Sequence, residues 1–148
     1  MTAEQSGRAG VLIVEDDRSL ADLYAEWLDD SYAVETAYDG AQALERVDES
    51  VDVVLLDRMM PGLSGGAVLE AIRESAADPQ VVVVSAVTPD FDIIQMGFDA
   101  YLEKPVEAPA LRETIDRMLT RAEYDEKLRE LFSLIERKET LEAVQKTE

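Results

Sequence analysis

A parallel β-sheet held between two layers of helices is the architecture this chain should adopt. Three features point to it. Short runs rich in Val, Ile and Leu alternate with segments whose apolar residues recur at helical spacing, five times over and with short links. The strand runs are apolar at consecutive rather than alternate positions, the pattern of strands covered on both faces. Several of these runs stop abruptly at a charged or hydroxyl group.

Residues 1–10 are small and polar and read as a frayed tail. Val11-Leu12-Ile13-Val14 is the first strand, closed by Glu15-Asp16-Asp17. A helix from Arg18 to Asp29 follows, with Leu20, Leu23, Tyr24, Trp27 and Leu28 turned inward and Asp16 or Asp17 free to cap it. Tyr32 to Ala37 forms a short strand. Asp39 then caps a helix through Val47 that carries Ala43, Leu44 and Val47 inward. Val53–Leu56 is the third strand and runs into Asp57; Pro61-Gly62 makes a turn, and Ser64 caps a helix to about Ala76.

Val81–Ser85 is a buried strand of stiff, β-branched residues. Thr88-Pro89 opens a short helix to about Gly97, with Pro at the first helical position. Ala100–Glu103 is the last strand and ends at Lys104-Pro105. Ala108-Pro109 then starts a helix with Leu111, Ile115, Met118 and Leu119 on one face. Right-handed crossovers between the parallel strands give a three-layer α/β sandwich. After Thr120 no Gly or Pro interrupts the chain, so one long amphipathic helix or a helical pair follows, with an apolar stripe that must find a surface or remain solvated.

The chain has 148 residues and a net charge of −19, enough length for one domain with an appendage. Nearly all of the negative excess lies before residue 120. Such a surface repels phosphate backbones, so direct nucleic-acid binding by this chain is not expected. Ten of the fourteen basic residues are Arg and four are Lys. An acid-rich, lysine-poor surface suits a cytosol of very high salt, where repulsion is screened within about 3 Å at 1 M; an ordinary acidic protein is the alternative. There is no Cys and no His, which excludes disulfides, thiolate or imidazole metal sites and histidine catalysis within the chain. With no long apolar span and no leader pattern, a soluble cytoplasmic protein that does not engage membranes is expected.

Ligands of open parallel sheets bind beyond the carboxyl ends of the strands. If the ends of these strands share one edge, Glu15, Asp16, Asp57, Ser85 and Lys104 line a small acidic pocket. Converging carboxylates repel, raising at least one pKa unless a cation neutralises them. The donor set suits a hard, oxygen-seeking ion of the magnesium or calcium type. Holding such an ion and moving a phosphoryl group is what these residues can do together. Each has a plainer reading alone: the acidic residues as helix caps, Ser85 as a loop hydroxyl, Lys104-Pro105 as an exposed turn, Tyr101 as an aromatic at the core's edge.

The four segments Val11–Asp17, Leu55–Gly65, Val83–Ala86 and Tyr101–Pro105 resemble, in order, the signature regions of the receiver domain of two-component response regulators. The resemblance covers about residues 10–120, so a receiver domain is expected over 11–120 and a helical extension over 121–148. It implies a flavodoxin-like (βα)5 fold with strand order 2-1-3-4-5. It implies that Asp57 is the phosphoacceptor, attacking the phosphohistidine of a sensor histidine kinase to form an acyl phosphate. Asp16 would ligate Mg2+ directly, Glu15 directly or through water, and the backbone carbonyl of Met59 would join them. Lys104 would contact one phosphoryl oxygen and Ser85 another, Tyr101 would turn inward as Ser85 moves, and the Lys104-Pro105 bond could be cis. The resemblance further implies that the domain would assist its own phosphorylation and dephosphorylation and would otherwise not be an enzyme.

Two departures from the commoner pattern stand out: Glu15 replaces an aspartate and Ser85 a threonine. Met59 and Val87, at positions where the family tunes water access, are apolar, which predicts a long-lived phosphoryl group. The stretch from Arg121 resembles the opening of the HalX-type helical region that follows haloarchaeal receivers, and it breaks off before such a region would finish, so a chain cut short is expected. Output would run through protein contacts, with homodimerisation through the fourth and fifth helices and last strand, or through the C-terminal helix. The downstream partner is not named by any residue. One rival is a constitutive adaptor that takes no phosphate. Another is an aspartate-nucleophile phosphatase, which would want an acid where Met59 stands. A third is a flavodoxin-like cofactor binder, whose phosphate the Glu15-Asp16-Asp17 run would repel.

Overall fold

A computed structural model of the protein describes residues 7–58, 60, 62, 64–88, 94–95 and 97–147, with burial described to residue 137. The strands are β1 (Gly10–Val14), β2 (Ala33–Ala37), β3 (Val53–Leu56), β4 (Gln80–Ser85) and β5 (Ala100–Glu103). Helices α1 (Arg18–Leu28), α2 (Gly40–Arg46) and α3 (Gly65–Glu74) lie between them, and a C-terminal helix covers Ala108–Thr147. All five strands pair in parallel, in the order β2-β1-β3-β4-β5. The helix expected from Thr88-Pro89 to Gly97 lies largely outside the described residues.

Alternation along the strands divides the core in two. Val11, Ile13, Val53, Leu55, Val82 and Val84 face α1 and the C-terminal helix, packing on Tyr24, Leu28, Leu111 and Ile115. Leu12, Val14, Val54, Leu56 and Val81 face the other way, onto Ala43 of α2 and Val68, Leu69 and Ile72 of α3. Each fully buried aliphatic side chain of this kind contributes about 1.5–3 kcal/mol. Leu23 and Leu44, expected inward, are exposed instead. They sit at the margin of their stripes, and the buried positions of α1 are Ala21, Tyr24 and Leu28.

The helix starts follow the sequence closely. Asp17 caps α1 by accepting from the Leu20 N–H at 3.2 Å, and Asp39 caps α2 by accepting from Gln42 at 2.8 Å. Ser64 caps α3 by accepting from Ala67 at 3.3 Å. Each such cap is worth about 1 kcal/mol.

The C-terminal helix is one continuous element rather than a pair. Its first part is buried through Leu111, Thr114, Ile115 and Met118. Tyr32 donates to Asp116 at 2.5 Å, and Arg112 donates to the Trp27 carbonyl, tying this part to the end of α1. Residues 119–126 pass beside Ala9, Val51, Asp52 and Asp78, next to the amino ends of β1, β3 and β4. Tyr124 within this stretch, and Leu131, Phe132, Leu134 and Ile135 beyond it, are exposed.

Candidate functional site

The carboxyl ends of β1, β3, β4 and β5 form one rim, and hydrogen bonds just past the strands fix its backbone. Asp57 N–H donates to the Val14 carbonyl at 2.9 Å, Glu15 N–H to Ala37 at 3.0 Å, and Lys104 N–H to Ser85 at 2.8 Å. Strand order reverses direction at β1 and β3, which opens the crevice where ligands of such sheets bind. Glu15 and Asp57 stand side by side in it.

Oxygen atoms of Glu15, Asp16 and Asp57 lie within 4.8 Å of one another. Glu15 is 3% exposed and Asp57 6%, while Asp16 is open to solvent. The Lys104 ammonium is bonded to Glu15 Oε1 and stands 3.7 Å from Asp57 Oδ2. Glu15 Oε2 accepts weakly from the Asp17 N–H at 3.4 Å. Burial first, and then the Asp57 carboxylate, push Glu15 up to about 7, against the opposing pull of Lys104. For Lys104 burial works downward, yet its bond to Glu15 and the Asp57 charge outweigh that and hold the ammonium above its ordinary value.

The donor set fits a hard divalent cation. Three carboxylate oxygens converge, and the chain has no Cys or His to offer a thiolate or imidazole. Burial is the larger cause of the raised Glu15 pKa and the neighbouring Asp57 carboxylate adds to it, so a cation placed here would relieve part of the shift. The expected fourth ligand, the Met59 carbonyl, lies outside the described residues.

Ser85 is fully buried at the end of β4, and its hydroxyl accepts from the Val87 N–H at 3.3 Å. Tyr101 does not reach the acidic cluster. Its hydroxyl donates to the Val87 carbonyl at 2.5 Å, and its ring meets Phe98 edge-on at 5.4 Å. Val87 thus ties Ser85 to Tyr101 through its two backbone groups. The Lys104-Pro105 peptide bond is cis.

Two residues join this site that the sequence alone did not single out for it. Gly65 opens α3 against the backbone of the acceptor loop: a Cβ there would meet the Asp57 carbonyl oxygen and Arg58 Cα, each at 2.5 Å. Tyr24 of α1 lines one small cavity together with Glu15 and Asp57. Its inward helical spacing was visible, but its place below two carboxylates was not.

A model of the response regulator receiver domain matches residues 11–116, and one of the HalX domain matches residues 120–148. A candidate transcriptional regulator of Haloferax volcanii is 51% identical over 125 residues, covering 84% of this chain and 22% of that protein. The transcriptional regulatory protein CpxR of Escherichia coli K12 is 37% identical over 120 residues, covering 78% of this chain and 51% of that protein. This chain therefore spans between about a fifth and a half of the length of these curated relatives. The signal receiver domain of a candidate LuxO repressor from Vibrio parahaemolyticus shares the fold with a TM-score of 0.72 and 30% identity, covering 82% of this chain and 97% of that one. Among the described residues no helix is long and apolar enough to cross a membrane.

Proposed function

We propose, since this chain belongs to the response regulator receiver domain family, that it takes a phosphoryl group on Asp57 from a sensor histidine kinase and thereby switches a protein-interaction surface. A carboxylate oxygen of Asp57 attacks phosphorus as the P–N bond of the phosphohistidine breaks. The departing imidazole nitrogen keeps the electron pair, and an acyl phosphate remains on Asp57. Glu15, Asp16 and Asp57, with the backbone carbonyl of Met59, would hold Mg2+, whose charge offsets that of the crowded carboxylates and the phosphoryl oxygens. Lys104 exchanges part of its bond to Glu15 for a phosphoryl oxygen, and the Ser85 hydroxyl donates to another. Tyr101 follows through Val87, to which both are bonded. The dianion biases a two-state rim, as added phosphate does generally.

The observation that carries this reading is the meeting of Lys104, Glu15 and Asp57 at one sheet edge, with Lys104 and Glu15 separated by 89 positions in sequence. Phosphoryl transfer asks mainly for positioning and charge neutralisation, and these side chains supply both. Residues 11–120 act as the receiver and 121–148 as a helical extension of HalX type. Output runs through protein contacts of that extension or of the last strand and helix, a second copy of the chain included, and the domain does not itself bind DNA.

Incubation with acetyl phosphate, with and without Mg2+, tests this. A metal-dependent gain of one phosphoryl unit by intact mass, lost in Asp57→Asn and Asp57→Ala, is the expected result. An unchanged mass under all conditions favours a constitutive adaptor and overturns the proposal.

A further inference from the structure

Tyr24 is 3% exposed in the middle of α1, on the face that packs against the sheet. Below the acidic cluster it borders a cavity of about 10 Å3 whose other walls are Ile13, Val14, Glu15, Leu55, Asp57 and Val84. That volume is close to what a single water needs, provided two or more polar partners line it. Three of the lining residues, Tyr24, Glu15 and Asp57, carry polar side chains, and the others are aliphatic. An aliphatic residue would complete the core at this helix position equally well. Tyr24 instead places a phenol among the residues that line this cavity, beside Glu15 and Asp57.

Burial is the largest influence on the Tyr24 hydroxyl and holds its pKa above the ordinary phenol value, and the charges of Lys104, Glu15, Asp57 and Asp17 act on it as well. A neutral phenol is a donor toward a carboxylate. Its ring is also fixed, packing on Trp27 with centroids 5.6 Å apart.

We propose that Tyr24 is a positioning residue for the phosphoacceptor: its hydroxyl, through one water held in this cavity, fixes a carboxylate oxygen of Glu15 and of Asp57, leaving their remaining oxygens to face the ligands. The inference rests on the proposed phosphoacceptor role of Asp57 and adds a residue to it. The water bridges a donor to two acceptors, and such bridged bonds are nearly as favourable as direct ones. A partner behind a ligating group fixes its orientation, and losing that partner typically costs 10–100-fold in metal affinity or activity. Through a bridging water the loss at Tyr24 falls at the lower end of that range.

The test is Tyr24→Phe in the full chain, which keeps the ring and removes only the hydroxyl. Mg2+ binding by calorimetry should weaken about three- to tenfold, and acyl phosphate formation from acetyl phosphate should slow by a similar factor. The thermal midpoint should shift by no more than a few degrees, which separates positioning from packing. A high-resolution crystal structure of the parent chain should show one water within hydrogen-bond reach of the Tyr24 hydroxyl and of Glu15 or Asp57. Equal Mg2+ affinity and equal rate in Tyr24→Phe, or a dry cavity, overturn the inference while the function of Asp57 stands. If the parent chain takes no phosphoryl group, the proposed function falls, and the Mg2+ titration still decides Tyr24. A parent chain that binds no Mg2+ overturns both.

Discussion

Lys104 is bonded to Glu15, with Asp57 farther off at 3.7 Å, so the one ammonium at this rim is held by the carboxylate beside the acceptor. That arrangement puts Lys104 in competition with any cation for Glu15. Lys104→Met should therefore leave Mg2+ affinity unchanged or tighter, while slowing phosphoryl uptake by about tenfold or more, the worth of one charge-assisted contact. Calorimetry and intact-mass time courses measure the two separately. A parallel loss of both would show that Lys104 supports the metal site rather than competing with it.

Glu15 carries the pH dependence. Its pKa rises from 4.5 to about 7 on folding, burial being the larger cause. Between those values the folded chain keeps a proton that the unfolded chain has released. This contribution to stability is therefore complete below about 4.5 and disappears as pH climbs through 7. Metal-free protein in chelator should lose stability over that window, and Glu15→Gln should flatten the loss. Added Mg2+ should reverse it near neutrality and bind more weakly at pH 6 than at pH 8, because a proton and a cation compete for one carboxylate. Denaturant melts of both proteins across the window supply the comparison.

Gly65→Ala should be costly for a reason unconnected with helix propensity, which favours Ala. The new methyl group would stand 2.5 Å from the Asp57 carbonyl oxygen, so the acceptor loop or the start of α3 must shift. Overpacking of this kind costs about 1–3 kcal/mol. The phosphorylation rate should fall with stability, since the displaced atoms belong to the acceptor itself. Gly62, at φ +78 with open space around its would-be Cβ, offers a contrast: Ala there should cost about 1–2 kcal/mol through backbone strain alone. Thermal melts rank the two.

A chain of net charge −19 repels itself in dilute buffer. Raising salt from 0.05 M to 2 M should lift the melting midpoint by roughly 10 °C, equivalent to a few kcal/mol for a domain of this size. A midpoint insensitive to salt would remove the halophilic reading of the composition.

How much of this was visible in the sequence depends on the physics involved. Short runs of consecutive apolar residues rich in β-branched Val suit a strand covered on both faces, so Val53–Leu56 and the Val81–Val84 run were legible to within a residue. Short polar residues at helix starts announced Asp39 and Ser64 as caps for the same local reason. Strand order came from resemblance, because pairing between distant segments leaves no periodic trace. Helical periodicity gave direction but not depth, hence the misplaced Leu23 and Leu44. It also marked Tyr24 as inward-facing without revealing the carboxylates above it. The bond from Lys104 to Glu15 follows from side-chain reach across the rim, which no spacing rule encodes.

The acidic cluster lies at the carboxyl ends of the strands, whereas the C-terminal helix leaves the domain beside their amino ends, near Asp52 and Asp78. From residue 119 it runs on to Thr147 without interruption, about 40 Å at 1.5 Å per residue. A rod of that length is a lever: tilting its root by about 10° sweeps the far tip through about 7 Å. A slight tilt at the root of this helix can therefore become a displacement of its tip large enough to make or break a neighbour's grip.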